Sequence, residues 1–201
     1  MEDYKREDPD KLLKKITNTP IMAYFALGVS IIFFLMFIFG IISIFNDKIL
    51  AIILFIVGSI FSISFFFIYF FQSRKVKSNI KNIDLEKVKK EILEGVISNG
   101  ISKTYFTKSY MMANYYYGFI VEYKDILWIY KRSTYDPQTL VMLHDLAVCD
   151  NKGKKYFTIY EESFVDEILK HNKNVIKGKS KENKEKYKEL IKNINERKSI
   201  K

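Results

Sequence analysis

The side chains that could do covalent or metal chemistry are few: His144, His171 and a single cysteine, Cys149. A metal centre needs three or four ligands, and a nucleophilic cysteine and histidine need an orienting partner and an oxyanion hole. His144 and Cys149 are an odd number of residues apart, so on one regular strand they point to opposite faces. His171 falls at a helix end. Asp125 would act as a catalytic acid only beside a second carboxylate, and the sequence marks none; capping a turn or holding a strand edge is its other reading. No G-x-G-x-x-G or Walker-type loop is present to cradle nucleotide phosphates. The expectation is a chain with no catalytic residue, no metal site and no cofactor, whose unpaired cysteine fits a reducing compartment.

Position in the cell is written far more strongly. Residues Ile21 to Phe45 and Ile49 to Phe71 are apolar runs without a charge, separated only by Asn46, Asp47 and Lys48. Each matches the roughly 20 residues that a helix needs to cross a bilayer core, so 21–71 is predicted to be a two-helix transmembrane hairpin with spans 21–45 and 49–71. Lys11, Lys14 and Lys15 suggest a signal peptide, but the first run is too long, has no small-residue cleavage site and is followed at once by a second. Cations gather outside the pair, at Lys5, Arg6, Lys11, Lys14 and Lys15 before it and Arg74, Lys75, Lys77 and Lys81 after it. The positive-inside rule then places both termini in the cytoplasm of a multi-pass plasma or inner membrane protein. Neither run holds an Asp, Glu, Lys, Arg or His side chain, which disfavours an ion path or proton relay within one chain.

Two membrane helices joined by so short a turn must pack on each other, and small residues permit that approach. Ala26 and Ser30 on the first run, and Gly58 and Ser62 on the second, have the small-xxx-small spacing. They serve either to close the hairpin or as a seam for another membrane subunit.

The formal net charge is +10, and the segments before Gln72 cancel, so all of it belongs to Gln72 through Lys201. From Lys170 to Lys201 twelve cations face four glutamates. Such a stretch is either a solvated tail or a surface drawn to anionic headgroups, with nucleic acid disfavoured. The lipid-surface candidates are Arg74, Lys75, Lys77, Lys177, Lys179, Lys181 and Lys184.

Within the soluble part, Asp84 reads as a helix N-cap, Ile83 and Val88 as a hydrophobic staple, and Gly95 as the stop. From Lys103 to Tyr160 the chain turns to short segments rich in β-branched and aromatic residues: 103–112, 118–123, 126–135, 139–149 and 154–160. Turns are predicted at Asp136-Pro137-Gln138 and Asp150-Asn151-Lys152-Gly153, as in an antiparallel sheet. Trp128 is flanked by apolar residues on both alternating faces and is predicted to be core. Met111, Met112 and Tyr115 to Tyr117 form either an exposed adhesive patch or rings that cover the sheet. Phe164, Val165, Ile168 and Leu169 share a helical face, and Tyr187, Leu190, Ile191 and Ile194 share another. The resulting segments are 1–20 N-terminal, 21–71 membrane, 72–95 connector helix, 96–171 β domain and 172–201 basic helix.

Strands 103–107 (Lys-Thr-Tyr-Phe-Thr), 123–130 (Tyr-Lys-Asp-Ile-Leu-Trp-Ile-Tyr) and 153–159 (Gly-Lys-Lys-Tyr-Phe-Thr-Ile), finished by a helix, resemble the bacterial pleckstrin-homology-like domains that follow membrane spans. The resemblance implies an α+β fold: an antiparallel sheet domain of pleckstrin-homology type with C-terminal helices. It implies binding or scaffolding at the cytoplasmic leaflet, with anionic phospholipid and a membrane protein or a second copy as partners. The expected strand count falls short of that family's seven. The early loop Ala113 to Gly118 is aromatic and uncharged, so specific phosphoinositide recognition is not carried over. An accessory subunit of a transporter or secretion complex, or an envelope immunity or stress protein, is the alternative.

Overall fold

The structure is a computed structural model and describes residues 8–18, 21–43, 48–99, 103–114, 117–136 and 141–199. The fold is α+β and divides into two compact units, one of Asn18–Ser78 and one that joins the N-terminal segment to everything from Asn79 onward.

The first unit holds α2 (Ile21–Ser43) and most of α3 (Lys48–Ile80). They pack antiparallel: the rings of Tyr24 and Tyr69, Phe33 and Phe61, and Phe37 and Phe55 meet in turn along the pair. Residues 55–80 form a helix long and apolar enough to cross a membrane. The expected end of the second run at Phe71 is not a helix end. Gln72 to Ile80 contains neither glycine nor proline, so nothing stops the backbone there, and Arg74, Lys75 and Lys77 lie on the same continuous helix. The predicted turn residues Asn46 and Asp47 lie outside the described residues.

In the other unit, α1 (Pro9–Thr17) is a helix within the N-terminal segment 1–20, for which no element is predicted. Its signals were present: Asp8 caps it by accepting from the amides of Asp10 and Lys11 at 3.0 and 3.3 Å, Pro9 occupies the first turn, and Leu12, Leu13 and Ile16 share one buried face. Helix α4 (Leu85–Glu94) starts and stops as expected. Asp84 accepts from the Lys87 amide at 3.1 Å, Ile83 packs in the same cluster as Val88, and Gly95 ends the helix at φ 137°.

Eight strands are present among the described residues, where five were expected. β1 (Ile97–Asn99), β2 (Thr104–Phe106), β3 (Tyr110–Ala113) and β4 (Phe119–Glu122) form one antiparallel meander. β5 (Ile126–Asp136), β6 (Val141–Asp150) and β7 (Lys155–Ile159) form a second, joined by the short β8 (Ile176–Lys177), which runs parallel to β5. The second sheet is therefore mixed, because the chain after α5 (Glu162–His171) returns alongside the start of β5. The expected single strand 103–112 is two strands, because Thr107 to Ser109 turn under the buried carboxylate of Glu91. Its Oε2 accepts from Thr107 Oγ1 and from the Ser109 amide, both at 2.8 Å. The Asp150 to Gly153 turn is as predicted, with Asp150 Oδ1 accepting from the amides of Lys152 and Lys154 and Gly153 at φ 79°. The Pro137 turn lies outside the described residues.

Both sheets are apolar on both faces. Between them lie Phe106, Met111, Phe119 and Val121 from the first and Ile129, Leu146, Val148 and Tyr156 from the second, closed at one end by Phe164, Val165 and Ile168 of α5. The other face of the first sheet, with Tyr105, Tyr110, Met112 and Ile120, is covered by α1 and α4. The other face of the second, with Trp128, Tyr130, Ala147 and Cys149, is covered by Tyr187 and Ile191 of α6 (Lys181–Ser199). Met111 and Met112 are thus buried on opposite faces of one strand and belong to no exposed patch; Tyr115 and Tyr116 lie outside the described residues.

Glu91→Ala would remove the side-chain acceptor of the half-buried Ser109 amide and leave the buried Thr107 hydroxyl only its longer contact with the Tyr110 carbonyl at 3.4 Å. The expected loss in unfolding free energy is about 2 to 3 kcal/mol, read by urea titration of the detergent-solubilised protein with Trp128, its sole tryptophan, as reporter. Stability equal to that of the unaltered protein would remove Glu91 from this role.

Candidate functional site

The residue types capable of covalent chemistry do not converge. Cys149 is fully buried, and burial pushes its thiol up to about 12. His144 is exposed and pairs through Nδ1 with Ser133 Oγ at 3.0 Å. His171 stacks on Tyr123 with ring centroids 4.4 Å apart and meets Glu167 Oε1 at 3.0 Å. Asp125 takes the strand-edge role: its Oδ1 accepts from Asn151 Nδ2 at 2.8 Å and its carbonyl from the Asn151 amide at 2.8 Å. Among the described residues, no three His, Cys, Asp or Glu side chains are grouped to hold a metal ion.

The buried acids serve turns and strands. Asp150 Oδ2 accepts from Tyr156 Oη at 2.8 Å, and burial raises the Tyr156 phenol above the ordinary tyrosine range, with the Asp150 charge adding to the shift. Asp145 is ion-paired with Arg132 Nε at 3.3 Å, and that guanidinium lies 4.6 Å over the Phe157 ring.

What reaches the surface is charge. Helix α6 is capped by Ser180, whose Oγ accepts from the Asn183 amide at 3.0 Å, and it is held to the second sheet by Tyr187. That side chain is buried, its ring is 5.4 Å from Trp128, and its hydroxyl donates to the Asp150 carbonyl at 3.0 Å. Trp128 is core as expected, and its Nε1 donates to the Gly178 carbonyl at 2.8 Å, just before the helix begins. With Asn183, Tyr187, Ile191 and Ile194 turned toward the protein, Lys181, Lys184, Lys188 and Lys192 run along one exposed flank, beside the exposed Glu185, Glu189 and Glu196. Lys188 and Lys192 have glutamate partners on the same helix at 2.9 and 3.8 Å, and such exposed pairs hold their cations loosely. Lys179 is also exposed. Lys177 differs: it lies in β8 and bridges Glu162 Oε1 at 2.9 Å. Of the seven lipid-surface candidates, then, Lys177, Lys179, Lys181 and Lys184 gather at the start of α6, while Arg74, Lys75 and Lys77 are exposed on α3 in the other unit.

The helix-packing candidates come together except for one. Ser30 Oγ donates to the Ser62 carbonyl at 2.9 Å and lies 3.4 Å from its hydroxyl. A Cβ on Gly58 would sit 2.7 to 2.9 Å from the backbone of Phe33 and Phe37, so this glycine sets how closely the helices approach. Ala26 is buried, but four residues from Ser30 on an antiparallel helix it does not oppose Gly58. Beside the serines runs an open groove of about 470 Å³ lined by Leu27, Ile31, Phe34, Ile63, Phe66 and Phe67.

Gly58→Val should separate α2 from α3 and lower the melting temperature in mild detergent, whereas Gly28→Ala, where nothing lies within 4 Å, should not. Equal melting of the two variants would show that the close approach is unnecessary. A second expectation concerns alkali. Burial raises Tyr110, Tyr130, Tyr156 and Tyr187 as well as Cys149, favouring the neutral forms in the fold. That stability is complete below the unfolded-state values and fades as pH rises past about 9 to 10. Tyrosinate absorbance should therefore rise in two phases, the later one coinciding with unfolding and with the first reaction of Cys149 toward a thiol reagent. Rapid thiol labelling of the folded protein at neutral pH would contradict this picture.

In comparisons with known proteins, no family model, no curated protein and no solved structure matches this chain.

Proposed function

We propose that this chain is a two-pass membrane protein, with both termini cytoplasmic, that presents a pleckstrin-homology-like domain at an anionic leaflet and acts by binding, without catalysis. The observation that carries this reading is α6: a helix pinned by Tyr187 so that Lys181, Lys184, Lys188 and Lys192 share one exposed flank, with Lys188 and Lys192 paired to Glu185 and Glu196 beside them. A tail that was merely solvated would not need a buried tyrosine and a hydrogen bond to hold one of its faces. The pleckstrin-homology comparison is supported by two stacked sheets of meandering strands followed by a helix at their open end. The hairpin is supported by the antiparallel ring contacts of α2 and α3 and by the uncharged runs within them.

A second reading, an accessory subunit of a larger membrane complex or a homo-oligomer, is favoured by the groove beside Ser30 and Ser62, whose apolar lining is open on one side. Small and hydroxylated residues in such a groove suit a further helix.

The test uses the full chain in nanodiscs of anionic or neutral lipid and follows amine modification of individual lysines. Each cation near an anionic surface gains up to about 1 kcal/mol, so Lys181 and Lys184 should react roughly fivefold more slowly in anionic discs, and high salt should restore the rate. Lys152, in the β6–β7 turn, serves as the reference. Equal rates at α6 in both lipids would rule the leaflet reading out.

A further inference from the structure

Strand β5 runs for 11 residues, and β8 follows only its beginning, at Trp128 and Ile129. The Gly178 amide donates to the Ile129 carbonyl at 2.9 Å, so Ile129 turns its backbone toward β8 and away from β6. These directions alternate along a strand, and the amides and carbonyls of Lys131, Ser133 and Tyr135 therefore point to that same edge. Among the described residues no strand pairs with them there. Gly178 is what removes the neighbour: its φ of 96° turns the chain off the edge, and its carbonyl accepts from Trp128 Nε1 at 2.8 Å and from Asn183 Nδ2 at 3.1 Å. Lys131, Ser133 and Tyr135 are all exposed.

An open edge is a template for another strand, and the side chains of this one restrict what can pair with it. Two copies of β5 related by a two-fold axis run antiparallel. Centred on Ser133, all three outward residues meet an outward residue: Ser133 meets its own copy, and Lys131 meets the partner's Tyr135, once in each direction. Centred on Thr134, Lys131 is left over on each strand. Centred on Arg132, Tyr135 falls opposite Ile129, which β8 already holds, and two guanidinium groups oppose each other. Continuing the β5–β6 register across the Ser133 axis gives a row of Met142, Tyr135, the partner's Lys131 and the partner's Leu146 on one face, and of Leu143, Thr134, the partner's Arg132 and the partner's Asp145 on the other. The exposed Tyr135, Met142 and Leu143 gain neighbours, and Lys131, already 5.0 Å over the Tyr160 ring, gains a second ring. A strand of another protein would need only the open edge. Cation and ring at equal distances on either side of Ser133 select a second copy.

We propose that the edge of β5 from Lys131 to Tyr135 is a self-association surface, on which two copies of the chain pair antiparallel about Ser133 and join their second sheets into one. This gives the homo-oligomer reading a surface outside α2 and α3. It does not draw on the charge of α6, and its failure would leave the groove beside Ser30 and Ser62 standing.

The experiment uses the full chain in mild detergent and has two parts. At the two-fold axis the Cα atoms of the Ser133 pair would lie about 5.5 Å apart, within the span of a disulfide. Under mild oxidation Ser133→Cys should form a linked dimer, and Lys131→Cys should link to Tyr135→Cys in a mixture of the two while neither links to itself. Lys152→Cys, exposed in the β6–β7 turn, is the reference for random collision, and Cys149 is fully buried and stays silent. In the second part, sedimentation measures the dimer without a cross-link. Tyr135→Lys sets lysine opposite Lys131 at both ends, so the dissociation constant should rise about tenfold; adding Lys131→Glu should restore it, and an unchanged melting temperature shows that the fold is intact. A monomer at every concentration overturns the proposal. So does linking of Lys152→Cys as fast as Ser133→Cys, and so does a dimer that Tyr135→Lys leaves unchanged, which would place the contact on another surface.

Discussion

A sheet that is apolar on both faces has to be covered on both, and two such sheets stacked on each other still leave two outer faces to cover. Here the inner layer closes on α5, and the outer faces take α1 with α4 on one side and α6 on the other. Burying a large apolar side chain is worth about 1.5 to 3 kcal/mol, so Leu12, Leu13 and Ile16 of α1 and Tyr187 of α6 are part of the fold. The chain segments before and after the β domain are consequently not tails. The charge of α6 follows from the same constraint, because a helix that buries one narrow face must turn the rest of its lysines to the solvent.

Local chemistry made much of this legible. Asp84, Gly95, the Asp150 to Gly153 turn and the two-faced pattern around Trp128 each depend on residues close in sequence, and each is where those residues place it. The features that escaped depend on distant partners or on the lack of a signal. Strands β2 and β3 read as one because their turn is made by Glu91, a residue of another element. β8 is two residues long and exists only because β5 offers it an edge. The continuation of α3 past Phe71 carries no hydrophobic mark, since polarity changes there while helix propensity does not. Of the surface candidates, Lys177 could not have been told from Lys179 without seeing Glu162 beside it.

The two units are held by different physics. In the β domain, water drives apolar side chains together. Between α2 and α3 there is no such drive when the surroundings are lipid, and close contact has to come from shape and from polar groups that find each other. Gly58 supplies the first by letting the backbone of Phe33 and Phe37 approach, and the Ser30 hydroxyl on the Ser62 carbonyl supplies the second. Stacked phenylalanines at Phe33, Phe61 and Phe65 fill the seam. The exposed apolar residues of these helices are an ordinary lipid-facing surface if the pair is in a bilayer, as proposed.

The same sorting applies to groups that carry chemistry. Cys149, Asp145, Asp150, Tyr156 and Glu91 are all buried, and each of the acids and the tyrosine is tied to a strand or turn partner. A reactive cysteine needs a thiolate within reach of a substrate, and here burial both raises the thiol and hides it. A general acid or base must reach the group it serves, and the two buried aspartates of the second sheet are instead fixed by their own neighbours. The features that face outward are different in kind: the lysines of α6 and the exposed apolar side chains of Tyr135, Val141, Met142 and Leu143. Charge on a surface attracts without regard to fine geometry, and exposed apolar area gains only when something excludes water from it. Both are means of association. The proposed binding role draws on both.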